Sequence, residues 1–409
     1  MSMVPVVGAL VLAGFAAGEP LLRLAVEERH SIAADERHAL FLDAKQRVVV
    51  VDLHAARVVA LPSARGGGPW RAGCFTADGG ALWLLEEAGT AQRFELRQPP
   101  QPQQSAPFLP SATVALPAGG GWHDLVAAPD GRSLAWSATR AGQRCAGVVA
   151  VTDGRELARF DAVGAAARSH DVLPWIAFVG EGAHVVVCIE PKGDGLRVLG
   201  HGDGSLQLWN LAEQRAAAHL HPYVAHRSPG YALLPDGVAF ATRSERDFPV
   251  LCQRLGEPRP IVLLPDARGG HFTDLFVEPN GEWLCEQDFE DDDGITVIDV
   301  VGTRPPRTVA PGRRFVGFGS APRQEEIPAA GVALAPGVVA CGRDGTLERF
   351  ALLDGSLQQR FTPEAGFTTT AARWCCRVPR LLLVGYHLAA DGKSGDFEAQ
   401  LHSLRPDGK

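Results

Sequence analysis

Residues 201–220 read HGDGSLQLWNLAEQRAAAHL. Gly-Asp-Gly opens a tight turn, an alternating strand runs to Trp-Asn-Leu, a polar turn follows, and a second strand closes the stretch. One such unit fixes nothing by itself. What decides the fold is whether the phrase recurs.

It recurs along the whole chain. TADGGALWLLEE begins at Thr76, PDGRSLAWSA at Pro129, LPDGVAFATR at Leu234 and EPNGEWLCEQ at Glu278. Each is an Asp-Gly or Asn-Gly turn feeding an apolar strand. Such dipeptides tolerate the positive φ at both central positions of a type I′ hairpin turn. A second phrase follows: QRVVVVDL (46–53), TAQRFEL (90–96), GSLQLWNL (204–211), GITVIDV (294–300) and GTLERFAL (345–352). A short strand then ends each unit, as in RVVALP, ATVALP, RELARF, AAAHL, PIVLLP, RTVAP and LQQRF.

Four strands, A to D, at a spacing of roughly 40–55 residues are the repeat length of a propeller blade. The strand chemistry agrees. Runs such as VVVV, HVVVCI and RLLLVG are apolar on both sides, as sheets sandwiched between neighbours require, and strands C and D are expected to alternate. No segment sustains a helical period.

Seven complete units start near Ser31, Arg71, His123, Pro174, Gly230, Phe272 and Phe315. An eighth, from Phe367, holds AARWCCRV, RLLLVGYHL and DFEAQLHSL and then runs out of strands. PLLRLAV (20–26) can supply the missing one, because joining the termini in one blade removes two open sheet edges. The expectation is an all-β chain forming one β-propeller domain over 1–409. It has seven or eight four-stranded blades, eight by count, and 19–26 is the closing strand. Residues 97–110 (RQPPQPQQSAPFLP) and 319–331 (GSAPRQEEIPAAG) are expected to be surface insertions.

DGSLQLWN, with Trp209-Asn210, resembles the WD40 repeat, in which a Trp-Asp-like dipeptide ends a strand after an Asp-Gly turn. Val51-Asp52, Phe94-Glu95 and Ile298-Asp299 stand at the equivalent places. The resemblance spans nearly the whole chain as a pattern and is degenerate residue by residue. It implies a propeller fold and, as for most of the family, a non-catalytic scaffold for protein complexes.

Bulk properties narrow the partners. Net charge is −8 at pH 7, which argues against neutralising nucleic-acid phosphates. Lysine occurs only at Lys45, Lys192, Lys393 and Lys409, an arginine bias in keeping with a GC-rich, bacterial-type genome. The eight cysteines form no CxxC pair, so they read as buried thiols in a reducing compartment. The apolar run at residues 4–16 is too short to span a membrane and has no preceding Lys or Arg. A cytoplasmic chain is expected, or an exported one if 1–18 is a cleaved signal. DFEDDDG (288–294) lacks the EF-hand register and reads as a charged hairpin tip. HLHPYVAH (219–226) reads as a strand end entering a loop. No metal and no cofactor is expected.

A propeller binds through loops around its channel mouth. In the family resembled, the D–A and B–C connections share one face. Here the D–A connections hold Trp70, Arg71, Trp122, His123, Asp124, His170, Asp171, Tyr223, Arg227, His271, Arg313 and Arg314. Aromatic and Arg side chains dominate interface energies, so this ring is the expected docking site for a protein or peptide, on a monomeric propeller within a hetero-complex. For the histidines near strand A (His30, His123, His170, His226, His271) the alternative is a hydrogen bond that ties the blade together. No GxSxG, P-loop, HExxH or helix-opening GxGxxG is present. The rival reading is an enzyme or small-ligand binder at the channel, lactonase-like or quinone-dependent, built on His123, Asp124, Asp171 and His271.

Overall fold

Strand B of the second unit, Ala81–Glu86, shows why the apolar runs are continuous. Leu82 and Leu84 pack into one core cluster, with Leu40 and Val50 of the unit before. Trp83 and Leu85 pack into another, with Leu125 and Trp136 of the unit after. Side chains alternate across a strand, so a sheet buried on both faces must be apolar at every position. In the computed structural model the described residues are 14–16, 19–27, 30–33, 36–64, 67–96, 110–117, 121–161, 176–189, 205–220, 231–242, 249–265, 273–288, 294–320, 336–375, 380–388 and 394–404. Among them there are strands and no helix.

Blades 1 to 6 are six separate four-stranded sheets over 30–59, 70–115, 122–161, 176–220, 231–264 and 273–309. Blades 7 (314–362) and 8 (367–403) share a nine-stranded sheet, because their innermost strands pair in parallel, Gly317 opposite Ala372. Strand A of every blade lies within three residues of its expected start.

The core decides the blade number. The buried apolar residues fall into eight clusters, each drawn from two adjacent blades, and the last joins Ala39, Phe41 and Val51 of blade 1 to Leu382, Val384 and Leu401 of blade 8. Eight seams that return to their start make a closed ring of eight blades. Leu22–Ala25 completes blade 8, antiparallel to Ser394–Ser403, with Leu22 opposite Leu401 and Ala25 opposite Glu398. The inner ends are also tied. Glu36 of blade 1 receives Arg373 Nη2 of blade 8 at 3.0 Å and Ser320 Oγ of blade 7 at 2.7 Å.

Two local expectations need correction. The A–B connections are not type I′ turns with two positive φ values. In Thr76–Gly79 and Ala128–Gly131 only the glycine has positive φ, 68° and 70°. Its N–H closes onto the carbonyl three residues earlier, at 2.8 and 2.9 Å. The longer connection needs one left-handed residue, and glycine adopts that at least cost. Nor do the C strands alternate. Ile295–Asp299 is buried throughout, as a strand with neighbouring sheets on both faces requires, whereas the outer strand Arg215–Leu220 and the inner strand Trp70–Phe75 both alternate.

The Trp-Asp-like dipeptide has a divided role. Val51, Phe94 and Ile298 enter the core clusters between blades, and Trp209 meets Phe160 of blade 3 edge-on at 5.3 Å. In three of the four, the polar member caps the C–D turn. Asp52 Oδ1 accepts the N–H groups of His54 and Ala55, Asn210 Oδ1 that of Glu213, and Asp299 Oδ1 that of Val301, the usual service of Asx side chains in turns. The proposed insertions lie outside the described residues except for Pro110 and Gly319–Ser320, and Gly319 ends strand A of blade 7.

Candidate channel-mouth interface

Among the described residues, the starts of the A strands and the B–C turns of blades 1, 2, 3 and 7 stand at the same end of their sheets. On blade 2, Trp70 opens strand A (Trp70–Phe75) but is only 5% exposed. Its Nε1–H donates to Pro62 O at 2.8 Å, and its ring meets Phe94 edge-on at 5.8 Å. On blade 3, Trp122 opens Trp122–Ala127 and is 8% exposed. It donates to Glu87 O of blade 2 at 3.1 Å and stands edge-on to Trp136 at 5.7 Å. Arg140 lies over both indoles, 5.5 and 4.8 Å from the ring centroids. Both tryptophans are therefore wedges in blade seams. They correct the expectation of exposed aromatic anchors, since their apolar area is already used within the chain.

The next residue in each strand is presented differently. The register with strand B slips between Trp70 and Ala72 and between Trp122 and Asp124, which makes Arg71 and His123 the bulged residues. A bulge re-aims a side chain. Arg71 Nε lies 2.5 Å from Glu87 Oε2, and both side chains are part-exposed. His123 Nε2 lies 2.8 Å from Thr139 Oγ1, and Asp124 Oδ2 accepts Ser137 Oγ–H at 2.6 Å. Each therefore bonds a hydroxyl of strand B, Ser133–Arg140.

On blade 7, Arg313 precedes strand A, Arg314–Gly319. Its Nε lies 2.5 Å from Glu348 Oε2, and Arg360 Nη2 lies 2.6 Å from Glu348 Oε1. Burial pushes the Glu348 carboxyl up, but hydrogen bonds from Arg313 and Arg360 outweigh it and hold the group below the usual carboxylate range. Gln287 of blade 6 donates to Arg313 O and accepts from Phe315 N–H, which fixes the neighbouring blade to this corner. Arg314 Nη2 donates to Thr369 O of blade 8 at 2.7 Å. His170, Asp171, Tyr223, Arg227 and His271 lie outside the described residues, as do His226 and His221.

Four further residues converge that no local sequence signal marks. Arg23 of the closing strand bonds Glu364 at 2.5 Å and Glu398 at 3.0 Å, and His387 Nε2 lies 2.9 Å from Glu364. Glu364, His387 and Glu398 bring three ligand atoms within 4.8 Å of one another. The Arg23 guanidinium already supplies that cluster with a cation, and it holds the Glu364 carboxyl down to about 2. Of the thiols, burial pushes Cys74 up to about 12 and Cys252 to about 11. No helix among the described residues is long and apolar enough to cross a membrane.

A closed ring of eight four-stranded blades is a β-propeller. No family model matches the chain, and no curated protein matches it. Solved structures do. It is similar to the C-terminal WD40 domain of Sif2 at TM-score 0.54 and 10% identity, covering 94% of this chain and 97% of that one. It is similar to the Dos1 propeller at 0.52 and 13%, covering 94% and 95%. It is also similar to Chaetomium thermophilum Sqt1 bound to the N-terminus of the ribosomal protein L10, at 0.55 and 13%, covering 95% and 100%. At these identities the likeness is one of fold.

Proposed function

We propose that this protein is a non-catalytic interaction scaffold that receives a protein or peptide segment on the face formed by its D–A and B–C connections, as a subunit of a larger complex. The observation that carries the reading is the bulged strand start. It turns Arg71 and His123 away from the seams that absorb Trp70 and Trp122, so the face offers polar, already oriented side chains. Arg313 and Arg314 continue this polar face on blade 7. Guanidinium groups held by carboxylates lose less side-chain entropy on docking than free ones. Sqt1, a propeller of the same fold, is bound to a peptide terminus in its solved structure, which supports a peptide-like partner here. His170, Asp171, Tyr223, Arg227 and His271 complete the proposed ring.

The test is recovery of cross-linked partners from the source cell with three forms of the protein. Arg71→Glu combined with Arg343→Glu reverses charge on the loop face at part-exposed and exposed positions. Arg254→Glu reverses it on the opposite face, where Arg254 pairs with Asp236. Loss of a discrete partner in the first variant and retention in the second is expected. Equal recovery by all three sinks the loop-face assignment.

A further inference from the structure

The outermost strand of a blade is an exposed edge, with a row of N–H and C=O groups that face no neighbour. On blade 7 that edge is covered. Residues Gly14–Ala16 form a strand parallel to strand D, Leu357–Thr362. Gly14 lies opposite Arg360, Phe15 opposite Phe361 and Ala16 opposite Thr362. Among the described residues blade 7 is the one blade with a fifth strand.

Ring closure does not require this strand. Blade 7 already has four strands of its own, and Leu22–Ala25 closes blade 8. The two N-terminal strands also differ in anchorage. Leu22–Ala25 has four register pairs and the Arg23 bonds to Glu364 and Glu398. Gly14–Ala16 has three register pairs. Its surrounding sequence, VGALVLAGFAAG over 7–18, carries no charge and consists of small and aliphatic residues with one Phe. Such a chain offers main-chain hydrogen bonds at little steric cost, which is the chemistry of strand addition to a sheet edge.

We propose that the outer edge of blade 7, Leu357–Thr362, is a strand-docking site for an extended, uncharged peptide segment rich in small and aliphatic residues, and that Gly14–Ala16 is its built-in, exchangeable occupant. The site lies on the outer rim of blade 7, so the scaffold has a second surface of different chemistry. The built-in strand keeps the edge from pairing indiscriminately. A partner segment of the same character takes its place in the same parallel register. A short link from Ala16 to Leu22 gives the built-in strand an effective concentration on the order of millimolar. A free peptide therefore competes poorly on the full chain and docks directly once the strand is removed.

Amide hydrogen exchange read by mass spectrometry tests this with the full chain, a chain lacking residues 1–18, and the full chain carrying Phe15→Pro. Outward-facing amides within 360–362 are expected to exchange at least about tenfold faster in both altered chains, while Leu347–Ala351 in strand C of blade 7 is unchanged. A synthetic peptide of residues 7–18 at millimolar concentration restores protection to the shortened chain, and the same peptide with Phe15→Pro does not. If the shortened chain does not fold, as judged by circular dichroism, Phe15→Pro carries the first reading, and the peptide is added to that variant. Equal exchange at 360–362 in all forms, or an edge that stays fast after the peptide is added, overturns the proposal.

Discussion

Arg23 Nη2 lies 2.5 Å from Glu364 Oε2, although 341 positions of sequence separate them. The pair joins the closing strand to the connection between blades 7 and 8. Gln400, fully buried, donates to the same carboxylate at 2.6 Å and to Glu398 at 2.8 Å. Ring closure in this protein is therefore a main-chain pairing reinforced by a charged network. Its ionic part is open to titration.

Acid should weaken that closure. The Glu364 carboxyl is held down to about 2 from an ordinary 4.5, first by the Arg23 hydrogen bond and further by Gln400 and His387 against the opposing effect of burial. A carboxyl whose folded pKa is depressed contributes stability that is complete above about 4.5 and is lost as pH falls toward 2. Thermal unfolding measured from pH 6 to pH 2.5 should fall more steeply for the native chain than for Glu364→Gln. At neutral pH, Arg23→Ala should cost about 1 kcal/mol, because both partners are part-exposed and solvent screens them. Parallel pH profiles for the native and Glu364→Gln chains would show that the pair does not contribute.

Trp122 should matter to stability first. Replacing it by Ala removes a buried indole from the seam between blades 2 and 3 and leaves Arg140 without one of its two rings. A loss of about 3–5 kcal/mol is expected. Trp122→Phe keeps an aromatic ring but drops the bond to Glu87 O, at a cost of about 1–2 kcal/mol. Urea denaturation distinguishes these values, and an unchanged midpoint for Trp122→Ala would mean that the indole is not a wedge.

Gly317 should accept no side chain. A Cβ built there would lie 1.7 Å from Ala372 O, across the parallel pairing of blades 7 and 8. Gly317→Ala must push those backbones apart, at a cost of at least about 3 kcal/mol. Gly68→Ala is the control, since nothing lies within 4 Å of its added Cβ and its φ is not positive. Comparable melting temperatures for the two variants would refute the close approach.

Glu348 should couple Arg313 to Arg360. Its carboxylate is 3% exposed, while the two arginine side chains are 33% and 53% exposed. Glu348→Ala should cost about 1–3 kcal/mol, below the full cost of breaking a buried pair because both cations can turn to water. In a double-mutant cycle with Arg313→Ala, the combined loss should be smaller than the sum of the separate losses. Additive losses would show the two side chains to be independent.

The blade phrase was legible in the sequence because its causes are local. Apolar residues at every position of Ala81–Glu86 report a sheet with neighbours on both faces. Gly79 and Gly131 report turns that need a left-handed residue, and the Asx after Val51 or Ile298 reports a turn that needs a cap. Strand starts near Trp70, Trp122 and Phe367 follow from those signals. The same dipeptides tolerate two positive φ values per turn, yet Asp78 and Asp130 adopt none, because turn length is set by the register of the flanking strands.

Tertiary structure alone decided the rest. Eight seams, rather than a count of phrases, determine eight blades, because a ring closes only when the last core cluster includes the first sheet. Trp70 and Trp122 resemble exposed anchors in the sequence, yet they are buried by side chains of the preceding blade, which composition cannot locate. Arg23 stands 341 positions from Glu364 and 375 from Glu398, and no short-range pattern links it to them. Local chemistry determines what each strand is. Only closure of the chain on itself determines which surfaces remain for a partner.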